Sequence, residues 1–340
     1  ILLFRTLRAP AAFWAALVGG WVLLPPASYD PALSPDVFPY WIVGSGLPSG
    51  QLVTKLWTAP AIALAASLLF DRARWRSLAW RSYDGLLAAF CIWPLAEGAL
   101  VERVDPAPVV ASLYLAAAWG LPWIAGRLYL RDRDDLRAFA AMLALSAAAL
   151  LPLALLEGLT PLRVHALVYG ANPFALDGIE RYVGYRPQIF FEHGNQYGLW
   201  CAGATLAAVW SWRDAADTAR ARYRGALALL LAGLTLAAQS VGAILLLAAC
   251  LLLLAAPRAF AAFRLALPLG LAAALGLAAL HVSGVVPVRS LVMETSAGRA
   301  LLDGLRATGR GSAAWRVSQD LKTLPLLQGT LVAGTGRWDW

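Results

Sequence analysis

The chain carries little charge for its length. Asp, Glu, Lys and Arg make up 14% of its 340 residues, against 60% apolar residues and a mean hydropathy of +0.63. That balance excludes an ordinary water-soluble globule, in which about a quarter of the residues are charged, and implies an integral membrane protein. Cysteine is scarce as well. Cys91, Cys201 and Cys250 all lie in apolar stretches without pair spacing, which argues against a disulfide framework or a thiolate metal site. Histidine occurs only at 165, 193 and 281, and no second ligand pair at helical spacing accompanies Glu192 and His193, so neither metal nor cofactor is expected. There is no internal repeat, low-complexity tract or soluble-domain boundary, and the expectation is a single membrane domain over residues 1–340. The net charge is +8, but basic residues in such a chain are first of all topology signals, and nucleic acid is not expected as a partner.

What is abundant is apolar sequence of helical length. A helix of about 20 mostly apolar residues crosses a hydrocarbon core of roughly 30 Å. By that measure the sequence predicts an all-α, polytopic transmembrane bundle of about nine helices, near 9–25, 54–70, 83–101, 108–126, 138–157, 195–212, 225–239, 241–257 and 265–282. The first of these resembles a signal peptide at its start, but it lacks a small-residue cleavage site and is expected to remain as a helix. The run from Ala226 to Ala256 is too long for one span and is interrupted by Gln239, Ser240 and Gly242, so it reads as a helical hairpin. The arginines support this layout. With a cytoplasmic N-terminus, the inner segments hold Arg5, Arg8, Arg72, Arg74, Arg76, Arg81, Arg127, Arg131, Arg133 and Arg137. They continue with Arg213, Arg220, Arg222, Arg224, Arg258 and Arg264, as the excess of basic residues in short cytoplasmic loops requires.

Two external loops, 158–194 and 283–340, keep positive charge against that bias, while the short outer loops carry only Lys55 and Arg103. The first loop offers Arg163, His165, Arg181, Arg186, Glu192, His193 and Asn195. A guanidinium presents a planar fork of donors that matches phosphate oxygens, so several arginines on one external face point to a diphosphate. Each of them could equally snorkel to lipid headgroups. Arg186 precedes His193 by seven residues, just ahead of a helix start whose amides favour an anion. His193 could act as a general base or donate to a phosphate. Asn195 is placed to cap the helix or to touch substrate, and Phe190 and Phe191 read as interfacial anchors. The second loop contributes Arg310, Arg316 and Arg337, an expected amphipathic helix over Ser312 to Leu324, and a Gly334-Thr335-Gly336 turn.

Two motifs resemble the O-antigen ligase and O-antigen or exopolysaccharide polymerase (Wzy-type) superfamily of bacterial membrane proteins. In RPQIFFEHGNQYG, residues Arg186, His193, Asn195 and Gly198 match an Arg followed by a His-Pro-Asn-x-x-x-Gly-like helix start, with Gly194 in the Pro position. In WRVSQDLKTLPLLQGTLVAGTGRWDW, residues Arg316, Pro325, Gly334 and Gly336 match the later pattern, although four extra residues precede the Gly-x-Gly turn. The break QSVGA is similar to a Ser-Arg-Gly-Ala turn, with Val241 in place of the basic residue. The resemblance implies a glycosyltransferase that moves glycan from a polyprenyl diphosphate carrier to a hydroxyl acceptor on the periplasmic face of the bacterial inner membrane. It uses neither nucleotide sugar nor metal, and serves O-antigen or exopolysaccharide biosynthesis. On this basis Arg186, His193 and Arg316 are the expected catalytic residues, and Arg181, Glu192, Asn195, Arg310 and Arg337 the expected substrate contacts. The expected partners are the lipid-linked glycan, the bilayer, a chain-length regulator and a flippase. The alternative is a transporter or flippase of lipid-linked sugars, which would place ionisable residues at mid-membrane. The start at Ile1 and the stop at Trp340 inside a motif lead us to expect a fragment, with the family's further catalytic His beyond its C-terminal end.

Overall fold

The computed structural model describes residues 2–26, 54–102, 106–170, 180, 182–215, 217–255, 257–283 and 288–307. It is all-helical. Among the described residues the one β pairing is an isolated bridge between Glu180 and Tyr185. In chain order the helices are α1 (Leu2–Thr6), α2 (Ala9–Leu23), α3 (Lys55–Phe70), α4 (Arg72–Arg76), α5 (Ser82–Leu100) and α6 (Ala107–Leu115). A π turn at Ala116–Gly120 joins α6 to α7 (Leu121–Tyr129). There follow α8 (Arg133–Ala149), α9 (Leu151–Leu159), α10 (Val164–Tyr169), α11 (Gly194–Arg213), α12 (Thr218–Ala237), α13 (Val241–Ala255), α14 (Pro257–Val282), α15 (Val288–Met293) and α16 (Ser296–Ala307).

Every segment expected to be an apolar helix is helical. Two continuous stretches, Ala107–Tyr129 and Arg133–Leu159, are long and apolar enough to cross a membrane by length and composition. Others are shorter: α2 and α13 have 15 residues each, about 22 Å at 1.5 Å per residue. The break expected in the run from Ala226 to Ala256 is present, and it divides the run into two helices. Helix α12 ends at Ala237, Gln239 turns the chain with φ of 50°, and α13 begins at Val241. The segment after 283, expected to be an external loop, contains α15 and α16, which were not expected. Thr295 caps α16 through its hydroxyl, which accepts from the Gly298 amide at 3.0 Å. The expected amphipathic helix over Ser312 to Leu324 lies outside the described residues.

The chain divides into two compact units, one formed by the described residues up to Leu252 and the other by those from Leu253 onward. In the second, α15 packs on α16. Two larger clusters make up most of the described core of the first, and a smaller one joins Ala202 to Ala243 and Leu247. One cluster joins α8, α9, α11 and α12 through small residues such as Ala147, Ala204 and Ala208, and includes Ile189, Phe190 and Phe191. The other joins α2, α3 and α7, where Phe13 stacks on Tyr129 with ring centroids 4.0 Å apart. Large aliphatic side chains point outward instead: Leu86, Leu229 and Leu252 are each at least 70% exposed. An apolar outer surface over helix contacts in which alanine is frequent fits helices that pack in lipid.

The connections between helices collect at two ends of this unit. At one, the Arg74 guanidinium clamps the Asp135 carboxylate with bonds of 2.6 and 2.8 Å and also donates to the Leu128 carbonyl. Arg127 pairs with Asp84 at 3.1 Å and reaches the Ala79 carbonyl. Arg137 and Arg133 both bind Asp214, and their hydrogen bonds hold that carboxyl below its usual pKa range. The arginine-rich segments 71–81 and 127–137 and the Asp214 carboxylate after α11 therefore meet at one end.

Close helix contact depends on glycine where the small-residue face is tightest. A Cβ on Gly198 of α11 would lie 2.6 Å from the Ser240 Cβ, whereas one on Gly203 would meet nothing within 4 Å. Gly198→Ala should therefore destabilise the protein by about 1–3 kcal/mol through overpacking. Gly203→Ala should be neutral or stabilising by up to about 1 kcal/mol, since alanine is the better helix former. Thermal unfolding of the two detergent-solubilised variants checks this pair.

Candidate functional site

The second end is organised by a carboxylate at the end of α9. Glu157 is fully buried and its oxygens accept three backbone amides, from Val164 at 2.7 Å, Gln188 at 2.7 Å and Ile189 at 2.8 Å. The Arg163 guanidinium lies 3.6 Å away. These bonds hold two loop segments, before α10 and before α11, on one side chain. They also hold Ile189 at a φ of 55°, a conformation a β-branched residue rarely adopts. The chain reaches this point through Gly184, whose φ of +61° admits the turn. A Cβ there would lie 2.9 Å from the Gly158 carbonyl oxygen.

Arg186, in the extended stretch that follows, is 2% exposed. Its Nε donates to the Ala238 carbonyl at 3.2 Å and its Nη2 donates to the Asn195 side-chain oxygen. Ser240 donates to the same oxygen at 3.0 Å. The guanidinium thus ties the α12–α13 turn to the start of α11, and the Gly194 backbone lies against it: a Cβ on Gly194 would be 2.4 Å from Nε. Gln239 closes the turn from the other side, accepting from the Val183 amide and donating to the Val183 carbonyl.

His193 is the residue that caps α11. Its Nδ1 accepts the Asn195 amide at 3.0 Å, so in the neutral ring the proton resides on Nε2. Asn195 was expected to be the cap. Its side chain is instead held by Arg186 and Ser240, because α11 begins at Gly194 and so places His193, two residues earlier, at the cap position. Glu192 is half-buried and pairs with Gln196 one turn on, its carboxylate accepting from the Gln196 amide at 2.7 Å. Phe190 and Phe191, expected as interfacial anchors, are buried. Arg181, Arg310, Arg316 and Arg337 lie outside the described residues, so the structure brings together Arg186, Glu192, His193 and Asn195 and leaves the second-loop arginines unplaced.

Lys55 completes the layer from α3. It is 3% exposed, donates to the Phe190 carbonyl at 2.6 Å, and sits 4.5 Å from the Phe191 ring centroid. His165 of α10 is also buried, its Nδ1 donating to the Gly170 carbonyl at 2.8 Å. Burial lowers the His165 pKa and the Lys55 charge adds to that, against the opposing effect of the Gly170 bond. Sequence reasoning missed the organising part of Glu157 and the anchoring part of Lys55. The available signals were an acid at the end of an apolar run, and a lysine on the side that basic residues avoid.

Among the described residues no three His, Cys, Asp or Glu side chains are grouped to hold a metal ion. No protein-family model, curated protein or solved structure matches the chain. The residues of this layer are therefore read from their own chemistry. Arg163 lies beside Glu157, and Lys55 and Arg186 donate to the carbonyl oxygens of Phe190 and Ala238, which orient them. The start of α11 adds its amides and dipole. Such an arrangement can hold an anion at the helix start, with the His193 ring as a donor beside it.

Two consequences can be measured. Glu157→Gln replaces a triple acceptor by an amide with one acceptor oxygen and should cost about 3 kcal/mol, seen as a lower melting temperature and faster proteolysis between 160 and 190. For His165, the folded pKa lies below an unfolded value of about 6.5. Its contribution to stability is complete above that value and is lost as pH falls through the folded pKa. Between about pH 7.5 and about pH 5 the wild type should lose more thermal stability than His165→Asn.

Proposed function

We propose that the chain is a polytopic membrane glycan polymerase or ligase, and that its nine apolar helical segments cross the bacterial inner membrane with the arginine-rich end in the cytoplasm. The observation that carries the reading is the polar layer at the opposite end, where Lys55, Arg163, Arg186 and the capped start of α11 converge. Cations and helix amides beneath an external surface suit a substrate whose anionic group sits at membrane level, as a polyprenyl diphosphate does. The motif around Arg186, His193, Asn195 and Gly198 resembles that of the O-antigen ligase and polymerase superfamily and supports the same assignment. The transporter reading lacks such support, since Lys55 and Glu157 stand at helix ends.

In the proposed step the acceptor hydroxyl oxygen bonds to the anomeric carbon of the donor glycan. The bond from that carbon to the phosphate oxygen breaks, its electron pair leaves with the diphosphate, and the acceptor proton passes to the departing diphosphate. His193 donates from Nε2 to a phosphate oxygen, and Lys55 and Arg163 stabilise charge that grows as the bond breaks, which is where such interactions raise the rate. Arg186 is a positioning residue: its bonds to Asn195 and Ala238 hold the α11 start under the site.

The test restores long-chain polysaccharide in a polymerase-null host carrying the full-length protein. His193→Ala should slow transfer by about tenfold to a hundredfold, the equivalent of one charge-assisted hydrogen bond, and should leave single repeat units on the carrier. Arg186→Lys should retain more activity than Arg186→Ala, since it keeps the charge but loses the fork. Wild-type chain length in an expressed and inserted His193→Ala protein would sink the assignment. Loss of lipid A attachment in place of chain growth would select the ligase branch.

A further inference from the structure

Between α5 and the α6–α7 helix runs a groove of about 450 Å³, walled by Leu87, Ala88, Cys91, Ile92, Ala116 and Gly120, within the roughly 300–1,000 Å³ range of small-molecule sites. Its origin is local. Pro122 has no amide to donate, and the helix before it widens into the π turn, where the Leu121 amide reaches back to the Ala116 carbonyl. The residues of that turn are Ala116, Ala117, Ala118, Trp119 and Gly120, and the small ones leave space beside Cys91.

Toward the arginine end the groove adjoins a second cavity of about 400 Å³, and Leu78, Ala79 and Arg127 line both. The second cavity is basic, with Arg81, Arg127 and Arg131 on its wall. The one carboxylate lining either cavity is Asp84, and it is engaged by Arg127 at 3.1 Å and by the Trp123 indole at 2.7 Å. Arg131 is held by uncharged acceptors, the Ser77 hydroxyl and the carbonyls of Arg74 and Arg127, so its charge is oriented and retained. Arg81 is exposed at the rim. Trp80 and Trp123, both exposed, stand where apolar lining gives way to basic lining, the level at which indoles settle in a bilayer.

An apolar slot that opens into a basic chamber, at the level of exposed tryptophans, has the polarity of one kind of molecule. We propose that this is a binding site for an anionic phospholipid of the cytoplasmic leaflet, with an acyl chain in the groove and the phosphate on Arg81 and Arg131. The proposal rests on the membrane orientation given above but not on glycan transfer. A zwitterionic headgroup would place its own cation among the arginines, so the site should discriminate by headgroup charge.

Native mass spectrometry of the full-length protein released from detergent tests it, with phosphatidylglycerol and phosphatidylcholine of identical chains as probes. The wild type should retain phosphatidylglycerol about tenfold better. Arg81→Gln should remove most of that preference, and Ala88→Trp, which fills the groove without touching the arginines, should reduce retention of both lipids. Since Arg131 also ties the loops together, the decisive variants are Arg81→Gln and Ala88→Trp. Equal retention of the two lipids by the wild type would overturn the proposal, as would unchanged phosphatidylglycerol retention in both variants. Displacement of phosphatidylglycerol by equimolar inorganic phosphate would overturn the acyl-chain part, because an anion site alone would then account for binding. Lipid retention is read without donor or acceptor glycan, so this experiment and the complementation test fail independently.

Discussion

A single buried carboxylate carries the architecture of the polar end. Glu157 cannot be left in an apolar environment with its charge unmet, and it is met by amides from two loop segments, which the Arg163 bond to the Arg186 carbonyl and the Tyr169–Phe190 ring contact also join. Once Val164, Gln188 and Ile189 are held on it, Arg186 is delivered beneath the start of α11, and Phe190 and Phe191 are turned inward. The Phe190 carbonyl is then aimed at Lys55. The strained backbone at Ile189 persists because the same carboxylate binds its amide.

The two ends of the first unit hold their cations differently. At the arginine-rich end, guanidinium groups are matched by carboxylates, Arg74 by Asp135, Arg127 by Asp84, and Arg137 and Arg133 by Asp214, and the helices are tied together there. At the other end Lys55 and Arg186 donate to carbonyl oxygens around the capped start of α11, and Arg163 lies beside Glu157. The first arrangement suits a scaffold and the second a site for an anion. The basic chamber beside α5 is a local exception at the scaffold end: there Arg131 too is held by carbonyls and a hydroxyl, and the space it faces continues into an apolar groove.

The motif residues acquire different tasks in three dimensions. Arg186 and Asn195 were both read as facing a substrate, and both are engaged in holding the α12–α13 turn against α11. Gly194 and Gly198 stand in the same motif for a steric reason, since the guanidinium and the Ser240 side chain occupy the space that a Cβ would need. His193 caps the helix start, with its neutral tautomer set by the amide it accepts.

Helix content, the positions of the apolar segments and the break at Gln239 and Ser240 were legible in the sequence. They follow from residue-by-residue hydropathy and from the cost of interrupting an apolar run with polar side chains. The meeting of the arginine-rich stretches 71–81 and 127–137 was legible too, whereas Arg258 and Arg264, expected in a connection, lie within α14. What tertiary structure decided was pairing between residues far apart in the chain: Glu157 with Gln188 and Ile189, Lys55 with Phe190, Arg186 with Ala238. Such pairings depend on which helix ends meet and on which backbone groups are left without a helical partner when they do. Hydropathy places a charged residue at a helix end, but only packing supplies the amide or carbonyl that satisfies it.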